Sequence, residues 1–406
     1  MDAVLRPIVE DELGAFVRAD AIGFGAGWRL EADDTWPRAE LDRTVAAFVD
    51  DEIVATGRNF SLEMTMPGGT VVPTGAVSWI STRPTHRRRG LLRRIMEHLV
   101  LDSRARGESM SILTASEGGI YERFGYGVAT RKASIAVSRS ATTFRDPAPE
   151  GRVRIVEPTA AAEIARPLFD CVRRSRVGAV SRPDAWWNDE WASTEWIYPR
   201  QRFDVVYEEH GRVEGYALYA ISGGWSDGFT EKYVAVRDVI ASSPRAEHAL
   251  WYFLFNIDQT VEMRCWNTPV DSELGWLLTD PRECRTVSLR DWTWIRPIDA
   301  SAVLASRSYG THDELVVDVR DRWLGLEETA GTFRVRSGTD GVTCVRTDRT
   351  ADLELDADAL GSIILGGVAP STLARARRIA ARDVDALTRA DAMFRAEREP
   401  FGYTWF

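Results

Sequence analysis

The segment R-P-T-H-R-R-R-G-L-L-R-R-I-M-E-H-L-V, Arg83 to Val100, packs six arginines and two histidines into eighteen positions, while the chain as a whole carries a net charge of −10. Upstream, GAVSWIST is rich in β-formers and reads as a strand. Pro84 then removes a ladder donor and ends the pairing on one side. Downstream of Gly90, the apolar residues Leu91, Leu92, Ile95, Met96, Leu99 and Val100 recur at helical spacing. The first backbone N–H groups of such a helix have no partner inside it, and the helix dipole favours an anion there. Gly90 lets a phosphate come close to the backbone, and the arginines add forked donors suited to phosphate oxygens. A pyrophosphate accounts for local basicity in an acidic protein.

The elements that must position this loop come next. MDAVLRPIVEDELGAFVRADAIGF reads as a short strand and an amphipathic helix, with Asp11 as N-cap and Leu13, Phe16, Val17 and Ala21 on one face. Residues 44 to 64 and 70 to 82 read as strands, SMSILTAS as another, and EGGIYERFGYG as a loop. The polar, proline-bearing segment 138–158 suits a domain boundary. From about residue 150 the order restarts. EKYVAVRDVIASSPRAEHALWYFLFNID overlays the first segment with Pro244 on Pro84 and Leu250 on Gly90, each with a helix expected six residues after the proline. This is an internal repeat whose second copy lacks the charged loop. After WTWIRPIDA the pattern changes to short strands followed by the helices LGSIILGG and TLARARRIAARDVDALTRADAMF.

Composition bounds the partners. With 406 residues, 44% of them hydrophobic, and 15 tryptophans, the chain is expected to fold into two to four domains. A sequence pI near 5.3 argues against nucleic acid and for cationic small molecules or basic peptides. The four cysteines, Cys171, Cys265, Cys284 and Cys344, form no C-x-x-C, so no disulfide framework or metal site is readable from them. An acidic N-terminus and the lack of a long apolar run lead us to expect a soluble, cytoplasmic protein without membrane contact.

Arg87-x-x-Gly90-x-Leu92 between a strand and a helix resembles the acetyl-coenzyme A signature of GNAT N-acetyltransferases, with Leu92 where most have Gly or Ala. PTHRRRGLLR, ASEGGIYERFGYG and a terminal aromatic residue together resemble the Eis (enhanced intracellular survival) acetyltransferases, in which that leucine is normal. The resemblance implies an α/β (α+β) fold with two tandem GNAT-like domains and a C-terminal sterol-carrier-protein-like domain. The expected bounds are 1–147, 148–295 and 296–406, with acetyl-CoA as co-substrate, no metal, and a homo-oligomer, a hexamer. It also implies cofactor-binding roles for Ile80, Ser81 and Thr82 along the strand, for Arg88, Arg89, Gly90, Leu91, Leu92 and Arg93 at the pyrophosphate, and for Ser116 and Glu117 at the thioester end.

Acetyl transfer to an amine needs a proton acceptor and a donor for the leaving thiolate. In IYERFGYG two tyrosines compete, Tyr121 and Tyr126. The family pattern favours Tyr121 as the acid, and a phenol of pKa about 10 suits a thiolate of pKa about 8.5. His86 and His98 do not stand out as bases. The resemblance instead implies the α-carboxylate of Phe406, and four aromatics in the last six residues suggest a docked tail. It implies amines as acceptors, among them aminoglycosides, polyamines, arylalkylamines and lysine side chains. The expected acceptor pocket is lined by Phe24, Trp28, Trp36, Trp79 and Trp405, with Glu31, Asp33 and Asp34 nearby. Ala26 and Trp405 stand where an aminoglycoside pocket would benefit from carboxylates. The rival reading is a non-catalytic protein that binds acetyl-CoA or lipid.

Overall fold

The computed structural model describes residues 3–26, 40–188 and 202–406, save the side chains of Ala185 and Asn188. The chain divides into two compact units, one of Met1–Thr130 with Trp292–Phe406, the other of Arg131–Asp291.

The first unit opens with β1 (Val4–Pro7), α1 (Leu13–Phe24), β2 (Thr44–Val49), β3 (Glu52–Thr65), β4 (Val71–Thr82), α2 (Leu91–Ala105), β5 (Met110–Thr114) and β6 (Gly127–Val128). A 3-10 turn over Glu10–Glu12 precedes α1, so Asp11 lies inside that turn and is not the N-cap. The strands form a seven-membered sheet in the order β1-β2-β3-β4-β5-β16-β6, where β16 is Thr293–Pro297. Its one parallel pair is β4 with β5, bridged by α2 as a crossover. Both faces are covered. Phe16 and Ala19 of α1 pack with Ala46, Phe48 and Ile53, whereas Leu91, Ile95, Met96 and Leu99 of α2 pack with Val45, Val54 and Val77.

The second unit comprises β7 (Arg131–Ser138), β8 (Arg152–Val156), α3 (Pro158–Ser175), α4 (Ala185–Asn188), β9 (Phe203–Glu209), β10 (Arg212–Ser222), β11 (Trp225–Ser226), β12 (Phe229–Thr230), β13 (Tyr233–Ala241), α5 (Pro244–Phe255), β14 (Glu262–Thr268), α6 (Leu274–Leu277) and β15 (Cys284–Asp291). Its main sheet runs β8-β9-β10-β13-β14-β7-β15, again with a single parallel pair, β13 with β14. The two sheets therefore have the same plan. In each, the strand beside the parallel pair comes from a distant part of the chain: β16 next to β5, β7 next to β14.

The repeat departs from expectation at one point. Helix α5 begins at Pro244 itself, not six residues later, so Leu250 is a buried mid-helix residue with no relation to Gly90. The reason is local. Ser243 caps the helix by accepting the Ala246 N–H at 3.2 Å, and Pro244 at the first position brings no N–H to satisfy.

The rest of the first unit is α7 (Ala300–Ala305), β17 (Glu314–Arg320), β18 (Gly331–Gly338), β19 (Gly341–Arg346), β20 (Leu353–Asp356), α8 (Ala357–Ile363), α9 (Pro370–Arg375), β21 (Ile379–Ala381) and α10 (Val384–Phe394). Its five strands form a sheet in the order β19-β18-β17-β20-β21. β21 interrupts what the sequence suggests is all helix, because Ile379 and Ala381 complete the ladder beside β20. α8 lies directly on β16 and β6. A Cβ on Gly361 would fall 2.0 Å from the Ile295 carbonyl oxygen, and one on Gly127 would fall 1.8 Å from that of Asp358. Glycine at both positions permits this approach.

Candidate active site

The loop between β4 and α2 has the features its sequence suggests. Pro84–His86 form a 3-10 turn, Arg88 has φ 63°, and Gly90 caps α2 at φ 76°. The first helical bond of α2 runs from Arg94 N–H to the Gly90 carbonyl at 3.2 Å. The amides of Leu91, Leu92 and Arg93 lie ahead of it, and no side chain caps them. Arg87 and Arg89 brace the loop, Arg87 donating to Gly23 O at 3.0 Å and Arg89 to Thr85 O at 3.4 Å. Arg88 and Arg93 are exposed and, among the described residues, make no hydrogen bond or ion pair. Uncapped amides, a positive helix end and two uncommitted guanidinium groups fit a pyrophosphate. In the second unit Ser243, Pro244 and Glu247 occupy the matching helix start, which is closed to anions.

Beside this loop the sheet opens. β4 and β5 pair in parallel only as far as Val77 with Leu113. Trp79 and Ile80 then face Gly57 alone, a bulge in which Trp79 takes φ 54°. Ile80, Ser81 and Thr82 follow on β4 beyond the last β5 pairing, which leaves strand edge for an extended ligand. The Trp79 ring stacks on Phe16 at 5.9 Å and lies 5.3 Å from the Arg58 guanidinium carbon.

The loop after β5 carries the titratable groups. Tyr121 is 5% exposed and Tyr126 fully buried, their rings edge to face at 6.4 Å. Burial raises the Tyr121 hydroxyl above the usual phenol range, opposed by a hydrogen bond with Ser116, while the nearby Glu117 carboxylate adds to the rise. Ser116 and Glu117 are exposed. Tyr126 shares a 2.7 Å hydrogen bond with Ser111 Oγ, and burial raises its hydroxyl against the lowering effect of that bond. Tyr126 is thus part of the core, whereas Tyr121 stands beside exposed polar groups.

The tail reaches this loop. Phe401 is 1% and Phe406 6% exposed, and Trp292 Nε1 donates to the Gly402 carbonyl at 3.0 Å. Thr114 Oγ1, at the end of β5, donates to a main-chain oxygen of Phe406 at 3.4 Å. Trp405 is half-buried. Phe24, at the end of α1, is 55% exposed. Trp28 and Trp36, with Glu31, Asp33 and Asp34, lie outside the described residues.

Sequence reasoning missed a polar cluster under α1. Thr56 Oγ1 bridges Asp20 Oδ1 at 3.1 Å, the Trp79 carbonyl at 2.9 Å and Ser81 Oγ at 2.8 Å. Burial pushes Asp20 up to about 6 despite the hydroxyls of Thr56 and Ser81 and the charge of Arg58. The available signal was β3 itself: a strand covered on both faces must bury whatever its polar residues are. Among the described residues, no group of three or more His, Cys, Asp or Glu is placed to hold a metal ion, and no helix is long and apolar enough to cross a membrane.

Comparison with known proteins places these features. Residues 4–129 and 178–296 each match an acetyltransferase (GNAT) domain, and residues 300–403 match a sterol carrier protein domain. An uncharacterized N-acetyltransferase of Streptomyces griseus is 35% identical over 99% of both chains. The N-acetyltransferase Eis of Mycobacterium tuberculosis is 34% identical, over 85% of this chain and 84% of its own. The crystal structure of Eis1 from Mycobacterium abscessus superposes with a TM-score of 0.87 at 30% identity, covering 99% of this chain and 100% of that one.

Proposed function

The chain belongs to the Eis family of GNAT N-acetyltransferases, and from that premise we propose that it moves the acetyl group of acetyl-CoA directly to a primary amine. Ile80, Ser81 and Thr82 hold the pantetheine arm. Arg88, Arg89, Gly90, Leu91, Leu92 and Arg93 hold the pyrophosphate, and Ser116 and Glu117 flank the thioester. The terminal carboxylate of Phe406 takes the proton that the ammonium must lose. The freed nitrogen attacks the thioester carbonyl, a C–N bond forms, and the C–S bond breaks. Tyr121 gives its proton to the departing sulfur, which avoids release of a free thiolate, and the second proton shed by the acylated nitrogen restores the phenol. The aromatic residues Phe24, Trp79 and Trp405 line the acceptor side. Aminoglycosides, polyamines, arylalkylamines and lysine side chains are the candidate amines. A cytoplasmic homohexamer completes the proposal.

One observation carries the reading: a main-chain oxygen of Phe406 lies 3.4 Å from Thr114 Oγ1, where β5 ends and the Tyr121 loop begins. A frayed tail would not be buried there. Acetyl-CoA consumption against a panel of amines tests it. Release of free CoA that depends on an amine is the expected result. If acetyl-CoA stabilises the protein but no amine provokes turnover, the chain is a binding protein and the transfer reading fails.

A further inference from the structure

On β3, Gly57 faces α2, since a Cβ there would press on Ile95 and Leu99. Its neighbours Thr56 and Arg58 therefore face α1. Arg58 is 1% exposed. Among the described residues, three other arginines are buried as deeply, and each has acidic or carbonyl partners. Arg43 pairs with Asp102 at 2.9 Å and Glu108 at 2.7 Å, Arg296 pairs with Asp321 at 2.8 Å, and Arg307 donates to the carbonyls of Ile364 and Phe394. Arg58 differs. Its Nε and Nη2 are buried with no hydrogen-bond acceptor, and among the described residues it makes no ion pair. The nearby carboxylates are engaged elsewhere, Glu40 with the Ser61 N–H and hydroxyl and Asp20 with the hydroxyls of Thr56 and Ser81. The rings of Phe60 and Trp79 stand 4.1 and 5.3 Å from the guanidinium carbon.

Buried donors without acceptors are rare in folded proteins, and a desolvated cation without a partner is costly. Nε and Nη2 share one edge of the guanidinium and present two nearly parallel N–H bonds, the geometry that grips both oxygens of a carboxylate. Arg202 uses this same pair on Asp204, at 2.8 and 2.7 Å. The cofactor loop lies at the start of α2, which packs on the opposite face of the sheet. A second substrate must meet the thioester from the face that the cofactor leaves open. That is the α1 face, where Arg58 lies against the Trp79 bulge that leads into Ile80–Thr82.

We propose that Arg58 binds a carboxylate of the acceptor, so that the substrates of this chain are amines that also carry a carboxylate, such as amino acids. The inference rests on the transfer reading above and narrows it: a purely cationic acceptor leaves Nε and Nη2 of this guanidinium without a hydrogen-bond acceptor.

Matched acceptors that differ only by that group provide the test: lysine against cadaverine, and tyrosine against tyramine, each by kcat/KM with saturating acetyl-CoA. The carboxylate-bearing member should be preferred roughly tenfold to a hundredfold, mostly through KM, the size of a charge-assisted hydrogen-bonded pair. In Arg58→Met the ratio should fall toward one, and a ratio is unaffected by a general loss of activity. If that variant does not fold, the wild-type ratios decide alone. Acetylation of both members without preference, or a preference for the decarboxylated member, overturns this inference and leaves amine acetylation standing. Acetylation of no amine in either pair overturns this inference, and the wider amine panel then decides the transfer reading.

Discussion

Thr114 and Phe406 are 292 positions apart in sequence, yet the Thr114 hydroxyl donates to a main-chain oxygen of Phe406 at 3.4 Å. This contact joins the last residue of the sequence to the strand that feeds the Tyr121 loop. A side-chain substitution cannot test a main-chain oxygen, but a change of chain length can. One glycine added after Phe406 keeps every side chain and moves the carboxylate. If Phe406 is the base, kcat should fall by roughly 10²-fold or more, while acetyl-CoA still raises the melting temperature. Full kcat in the extended protein would return the search for a base to Glu117.

The two tyrosines separate by different readouts. Tyr121→Phe removes the proposed acid, and kcat should drop by roughly 10²-fold with little change in acetyl-CoA affinity. Tyr126→Phe should instead cost about 1 kcal/mol of stability in urea unfolding, because it leaves Ser111 Oγ without its 2.7 Å partner in the core. The reverse pattern, catalysis lost at Tyr126 and stability lost at Tyr121, would exchange the roles.

Gly90 tests the phosphate loop. A Cβ there meets nothing within 4 Å, so Gly90→Val creates no clash; its difficulty is the φ of 76°, which β-branched residues strongly resist. The loop should shift and the thermal stabilisation by acetyl-CoA should disappear. Gly90→Asn, whose side chain tolerates that φ, should keep a larger part of it. Equal cofactor binding by the valine and asparagine variants would dissociate the loop's conformation from its role.

Asp20 predicts a pH dependence. Burial raises its carboxyl to about 6, so the folded state holds a proton that the unfolded chain has already released. Such a group favours the folded state when protonated, and that contribution is lost as pH rises from about 4 through about 6. Asp20→Asn cannot lose it. Between pH 5 and 7.5 the stability of the asparagine variant relative to wild type should therefore rise by on the order of 1 kcal/mol. Parallel pH profiles would show that Asp20 is not held protonated.

Much of this was legible in the sequence, and the reasons differ from place to place. The turn into α2 at Gly90 was readable because its cause is local: a proline, a glycine and a helix stripe within a few residues. The repeat was readable as similar order, but the start of α5 was not, because a serine cap and a proline decide it over three positions. The reading of 372–394 as helix failed at β21, where pairing with β20 overrides local propensity. The bulge at Trp79 could not be foreseen, since a positive φ at tryptophan is imposed by the neighbouring strand. Arg58 and Asp20 belong to no sequence motif, and only the packing of α1 onto β3 brings them together.

The position of β16 bears on how the protein is made. β16 stands between β5 and β6, but the ribosome reaches it roughly 180 residues after β5, on the order of 10–40 s later at ~5–20 residues per second. Through that interval Ile112 and Leu113 belong to a strand with an open edge, and the nascent chain cannot close its own catalytic sheet. Any fragment ending before Thr293 carries the same open edge permanently. The second unit must therefore be translated in full before the sheet of the first is complete.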